Sequence, residues 1–352
     1  MLFVSVVLAI VLPVTLVGNK NKTKIKKQQQ IFHEEKSLLS PFANMTLWTD
    51  TSSEYSNNGV IDLAKVSDET GIEVFHLGFI NPDQEKYLNA DGSIRWCWGG
   101  YYIMSEKGND HYQYEGIKKS IADFRAKGGE IVVSFGGQSG VSPWTCTQNV
   151  DALYNMYMDV VDTYSLARID LDIETSNQDP SHAAANAKAI KKLQDKTSVE
   201  VSLTIPIMPY GWEEKQLALI EAYLDEGVKL VCINSMTMCY GGGTLPNEDY
   251  AYASIRAIKN AKDQLAAILR ERGQNKKDSE LYAMMGATVA IGFESSSYPT
   301  FTLDNMDVFS KFAKEVGLGL LSFWSINRDA GLYPNKGISG VYEFLKVCQQ
   351  NF

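Results

Sequence analysis

The nine residues Leu166-Ala167-Arg168-Ile169-Asp170-Leu171-Asp172-Ile173-Glu174 constrain the fold more than any other stretch of the chain. They alternate with period two, carry branched aliphatics at 169 and 173, and contain no Gly or Pro, which predicts a β-strand. Side chains two apart on a strand share a face. Asp170, Asp172 and Glu174 therefore stand on one side, spread over roughly 13 Å at ~3.3 Å per residue. Ala167, Ile169, Leu171 and Ile173 form an apolar opposite face. Apolar residues outward and acids inward suit a barrel, whose strands are covered outside by helices and whose inner face holds a site.

Three carboxylates on one poorly solvated face cannot all ionise, so at least one keeps a proton near neutral pH. A protonated carboxyl beside an ionised one is what acid–base chemistry needs. A solvated acidic edge strand is a competing reading, opposed by the apolar alternate face. A carboxylate cage for a divalent cation is another. No further acidic or His cluster follows at ligand spacing, so no metal is expected.

Strand and helix patterns alternate through the rest of the chain. Strands are predicted at 44–48, 74–80, 131–137, 166–174, 199–205, 230–238, 282–291 and 319–324. Helices are predicted at 60–70, 117–127, 149–164, 181–196, 213–226, 250–272, 305–316 and 341–350, with a long aromatic-rich loop at 81–114. Eight such units imply parallel strands joined by helices and close a (β/α)8 TIM barrel, a single domain over 41–352. A doubly wound open sheet is the runner-up, but its Gly-rich phosphate turn is missing after the first strand. Barrel active sites lie at the C-terminal strand ends. Glu174 falls at one such end and Trp324 at another. Met236, Met238 and Tyr240 share a parity, with Tyr240 ending the sixth strand.

The chain has 352 residues, 45% of them hydrophobic and 21% charged, ordinary for a globular enzyme. A net charge of −9 disfavours nucleic-acid partners. Residues 1–18 are apolar but shorter than the ~20 residues that span a bilayer. They are read as a signal peptide or a membrane anchor, giving a secreted or extracytoplasmic protein, and 19–40 as a Lys/Gln-rich tether. Of five cysteines, Cys232 and Cys239 point to opposite faces of one predicted strand. Cys97 and Cys146, in two predicted loops, are the expected disulfide, and Cys348 is left unpaired.

The residues now assembled resemble glycoside hydrolase family 18, the chitinases, in its bacterial-type single-domain subgroup. The family's Ser-x-Gly-Gly is matched by Ser134, Gly136 and Gly137. Its D-x-D-x-E is matched by Asp170, Asp172 and Glu174, its M-x-Y by Met238 and Tyr240, and its terminal Trp by Trp324. The resemblance implies endo-hydrolysis of chitin or N-acetylglucosamine oligomers by a substrate-assisted retaining mechanism. It implies catalytic roles for Glu174, Asp172, Asp170 and Tyr240 and a sugar floor at Trp324; no cofactor and a monomer are expected besides. Gly292 to Leu303 is too short for the α+β insertion some members carry, so an open cleft is expected. Trp96, Trp98, Tyr210 and Trp212 are candidates for outer subsites by stacking on sugar faces, or equally for packing of the rim. Two alternatives remain: an endo-β-N-acetylglucosaminidase acting on glycoproteins, and a non-hydrolytic chitin-binding lectin.

Overall fold

A computed structural model describes residues 32, 37–48, 55–106, 108, 111–333 and 336–352. The signal-or-anchor segment and most of the tether lie outside the described residues. Eight parallel strands close on themselves. The first, β1, is in two pieces, Leu38–Leu39 and Phe42–Asn44, separated at Ser40 and Pro41. Then follow β2 (Val74–Pro82), β3 (Glu130–Gly136), β4 (Arg168–Asp172), β5 (Glu200–Pro206), β6 (Leu230–Met236), β7 (Met285–Ala290) and β8 (Leu320–Trp324). Neighbours in chain order are neighbours in space, and Leu38 against Leu320 and Phe42 against Trp324 complete the ring.

The helices on the outside are α1 (Leu63–Thr70), α2 (Tyr112–Ala126), α3 (Val150–Tyr164), α4 (Pro180–Thr197), α5 (Glu214–Asp225), α6 (Tyr250–Glu271), α7 (Leu303–Val316) and α8 (Glu343–Asn351). Their starts follow from local chemistry. The Asn149 side chain accepts from the N–H groups of Asp151 and Ala152, and Asp179 caps α4 ahead of Pro180. The apolar face of β4 packs outward: Ile169 and Leu171 are fully buried in a core that includes Leu153 and Val160 of α3 and Ile190 of α4. Each such aliphatic contributes about 1.5–3 kcal/mol.

The barrel interior is graded. Its N-terminal end is shut by Phe32, Leu38, Val74, Val132, Cys232 and Leu320. There Phe32 covers the Arg168 guanidinium at 4.3 Å, and Arg168 pairs with Glu200 at 2.7 Å. The middle is polar and buried, with Ser40, His76, Ser134, Asp170, Ser202, Asn234 and Ser322. The mouth carries Phe42, Asp172, Met236, Thr288 and Trp324.

Several boundaries differ from the sequence expectations. Leu38 and Leu39, within the stretch read as tether, belong to β1, and that strand ends at Asn44, where the expected one began. Val60 and Ile61 pair with Ser56 and Asn57 as a hairpin, so α1 starts only after Asp62, whose side chain caps it. The aromatic loop contains a strand, Trp96–Trp98, antiparallel to the end of β2, and α2 begins at Tyr112. Tyr282 belongs to a short helix, Asp278–Ala283, ahead of β7. The β7–α7 connection is a short loop tied by Gly292 and Phe301, so the expected insertion-free barrel is observed. The expected Cys97–Cys146 disulfide is not formed. All five cysteines are free, with the Cys97 thiol at the Asn81 carbonyl (3.6 Å) and Cys146 at that of Pro143 (3.2 Å).

Candidate active site

A cavity of about 270 Å³ opens at the C-terminal end of the barrel, lined by Asp172, Glu174 and Trp324 together with Phe79, Gln138, Thr288, Glu294 and four sulfur-bearing residues. The sulfur residues are Met208, Met236, Met238 and Cys239. The acids form a ladder beneath and beside it. Asp170 is fully buried and accepts three hydroxyl hydrogen bonds: Ser202 at 2.6 Å, Ser134 at 2.7 Å and Thr204 at 2.9 Å. Thr204 in turn accepts from the Asn234 amide at 3.0 Å, so the network runs across four strands, β3 to β6.

Burial pushes Asp170 up to about 6, and the hydroxyls restrain that rise. Asp172 is driven well above the carboxylate range, first by burial, then by the charges of Glu174 and Asp170. One of its oxygens is buried with no partner among the described residues. Glu174, half-buried just past the end of β4, is raised to about 7 by burial. At pH 6–7 the ladder thus holds an ionised or ionising Asp170 and a protonated Asp172. Glu174 still retains a large share of its proton there. This is a proton donor above a carboxyl pair able to redistribute charge.

Ser134, Gly136 and Gly137 position this ladder rather than touch the cavity. The Gly137 N–H donates to the Asp172 carbonyl at 3.0 Å, and the Asn81 amide donates to the Gly136 carbonyl at 2.8 Å. Gly136 has φ +99°, and a Cβ there would lie 2.2 Å from the Asp172 carbonyl oxygen. Strands β3 and β4 approach this closely only with glycine at that position. Trp324 stacks on Phe79 with centroids 5.6 Å apart, forming an aromatic surface on the cavity wall.

Met238 lines the cavity, as expected, but Tyr240 does not. Its hydroxyl donates to Ser254 on α6 at 3.3 Å, and its ring meets Tyr250 edge-on. The reason is the end of β6. Regular pairing stops at Met236, and Thr237 and Met238 close tight turns onto the Ser235 and Met236 carbonyls. Cys239 then adopts φ +53°. Period-two alternation lapses there, so Tyr240 leaves the face that Met236 keeps, and Cys239 takes the position at the cavity. Trp98 and Trp212 are corrected too: both are buried, Trp98 donating to the Tyr164 hydroxyl at 2.9 Å, and neither lines the cavity. Trp96 is buried and donates to Asp159. Tyr210 alone of that aromatic set is exposed, on the loop after β5.

Glu294 was not singled out by the sequence, although an acid just beyond a barrel strand was its signal. Its carboxylate accepts from Arg328 at 2.7 Å and Lys336 at 3.1 Å. Burial would raise it, but those two cations more than reverse this and hold it below its ordinary value. Among the described residues no group of three or more His, Cys, Asp or Glu side chains is arranged to hold a metal ion.

Fold and site together define a class: a (β/α)8 barrel with a buried acid ladder at its mouth. No protein-family model matches the chain. Its sequence relatives include a probable bifunctional chitinase/lysozyme of Escherichia coli K12, 29% identical over 307 residues, and endochitinase 11 of Metarhizium anisopliae, 28% identical over 302. Each alignment covers 84% of this chain, but the chain spans only 31% and 53% of those relatives' lengths. Among solved structures, the catalytic domain of a hyperthermophilic chitinase from Pyrococcus furiosus superposes with a TM-score of 0.71 at 24% identity, covering 90% of this chain and 95% of that one. A GH18 chitinase from Pseudoalteromonas aurantia gives 0.51 at 13% identity, over 90% of this chain and 100% of that one. The barrel is thus the fold of solved family 18 chitinases, and the sequence relatives carry chitinase names.

Proposed function

We propose that the protein is a family 18 chitinase that cleaves β-1,4-linked N-acetylglucosamine chains internally, with retention of configuration. The observation that carries this reading is the ladder of Asp170, Asp172 and Glu174 rising into a cavity walled by Trp324. Glu174, the acid nearest solvent, donates its proton to the glycosidic oxygen. The substrate's own acetamido oxygen attacks the anomeric carbon, and Asp172 orients the acetamido N–H. As positive charge develops, the buried pair with Asp170 supplies compensating charge in a site where water is scarce. Tyr240 has no part in this scheme. The short β7–α7 loop leaves the cleft open, which suits internal cleavage.

The test is hydrolysis of N-acetylglucosamine oligomers by the purified protein, with product lengths and anomers resolved. The expected result is a mixture of lengths with β-anomer first. Initial α-anomer, or disaccharide alone from long polymer, would refute retention or endo action respectively. Glu174→Gln is expected to abolish turnover while oligomer binding persists; hydrolysis at a normal rate would remove Glu174 from its role. We further propose that residues 1–18 direct the protein outside the cytoplasm and that it works as a monomer. N-terminal sequencing of the exported protein and sedimentation check these in turn.

A further inference from the structure

We infer that Glu294 is a substrate-positioning residue that reads a sugar hydroxyl in the active-site cavity. This rests on the function proposed above.

Glu294 lines the same cavity as Asp172, Glu174 and Trp324. It sits on the loop after β7, and its carboxylate is fixed from behind. Arg328 reaches both oxygens, at 2.9 and 2.7 Å, and Lys336 reaches one, at 3.1 Å. Arg328 is itself buried and anchored to the Ile291 carbonyl at 3.3 Å. The Phe293 N–H donates to the Lys336 carbonyl at 2.7 Å, which pins the loop on its other side. A carboxylate offers about four acceptor positions. The two cations make three contacts, and the side chain, 26% exposed, lines the cavity. An ion pair serving only to tie two loops together would not need a carboxylate exposed to the site.

The cluster also selects its ligand. Glu294, Arg328 and Lys336 together carry one net positive charge, so an ammonium on a deacetylated sugar gains little there. An anionic ligand would face Glu174, which ionises near pH 7, across the same cavity. A neutral donor, a sugar hydroxyl, satisfies the free acceptor without either conflict. Because the carboxylate is held rigidly, little ordering entropy is lost when the hydroxyl binds.

The experiment compares wild type, Glu294→Gln and Lys336→Met on N-acetylglucosamine oligomers and on singly deoxygenated oligomers. A hydrogen bond to a charged group corresponds to about a tenfold to hundredfold effect. Glu294→Gln is expected to lower kcat/KM by that factor, with its pH limbs unmoved, and Lys336→Met by less than about threefold. One deoxygenated position should cost the wild type as much as Glu294→Gln does, and cost that variant nothing further. Wild-type efficiency in a folded Glu294→Gln, or deoxygenation penalties that simply add at every position, would overturn the inference. Should Glu294→Gln fail to fold, Glu294→Asp keeps the charge for Arg328 and Lys336 while withdrawing the acceptor, and the same comparison applies. If the wild type binds oligomers without hydrolysing them, the catalytic proposal fails separately. Calorimetric affinities of the same variants then decide this one, with equal affinity counting against it.

Discussion

Replacing Glu174 by Gln should stabilise the fold at alkaline pH, by an amount that the ladder itself sets. Burial raises Glu174 from its ordinary 4.5 to about 7. The folded protein therefore holds this proton more tightly than the unfolded chain does. Below pH 4.5 the carboxyl is neutral in both states and exacts no penalty. Between 4.5 and 7 the unfolded chain releases the proton first, so stability falls by about 1.4 kcal/mol per pH unit. Above 7 the loss is complete, at about 3 kcal/mol. A neutral glutamine has no such dependence, so the variant's advantage should be near zero at pH 4 and about 3 kcal/mol at pH 8. The gain includes relief of Asp172, which Glu174 also pushes upward. Urea unfolding of both proteins at pH 4, 6 and 8 measures it. A stability difference that is the same at pH 4 and pH 8 would show that Glu174 titrates normally in the fold, and the acid-donor argument would lose its basis.

Further outcomes follow from the site and from the backbone that supports the fold. Asp172→Asn should lower kcat by about 10²–10³ with oligomer affinity within a few-fold, since its charge redistribution matters in the transition state; stopped or steady-state kinetics with calorimetry separate the two. The wild-type kcat/KM profile should be a narrow bell with limbs near 6, where Asp170 gains its proton, and near 7, where Glu174 loses its own. Ser202→Ala removes one hydroxyl donor from the Asp170 carboxylate, favours its neutral form, and should move the acid limb up by about one unit; a limb that stays or moves down contradicts the network. Gly136→Ala forces a Cβ against the Asp172 carbonyl at φ +99° and should cost more than about 2 kcal/mol. Gly71→Ala, at φ +73° with nothing within 4 Å, should cost only about 1 kcal/mol, as denaturant midpoints will show.

The fold was legible because its signals are local and repeated. Runs such as Val74-Phe75-His76-Leu77 and Ile131-Val132-Val133 are apolar enough to need burial on both faces, and glycines such as Gly71, Gly227 and Gly317 stop chains at positive φ. Boundaries slipped where an apolar run continues across a change of structure. Leu281 and Tyr282 are as apolar as a strand, yet Glu280 accepts from the Lys277 N–H and closes a helical turn there. Val60 and Ile61 fit a helix by spacing, but the Asp62 side chain caps Lys65 and fixes the start two residues later than Ile61. In each case a side-chain hydrogen bond outweighed periodicity.

The site was legible as far as the strands are straight. Asp170 and Asp172 lie within β4, where parity governs, and their placement follows from spacing alone. Tyr240 lies four residues beyond the last paired residue of β6, where parity has no force, and its hydroxyl finds Ser254 instead. The buried tryptophans fail for another reason. A large aromatic in a loop next to a barrel mouth gains more from filling the gap between loop and helix than from waiting in solvent for a ligand. Trp98 packs edge-on against Tyr164 and satisfies its N–H there. Glu294 shows the converse. A charged residue at a strand end is retained at a cavity only with its charge balanced, and the balancing partners, Arg328 and Lys336, lie 34 and 42 residues away in the chain. No spacing rule connects them. Sequence pattern therefore reads the groups that a single strand presents, whereas groups assembled from separate loops become visible only when the barrel closes and brings its C-terminal ends together.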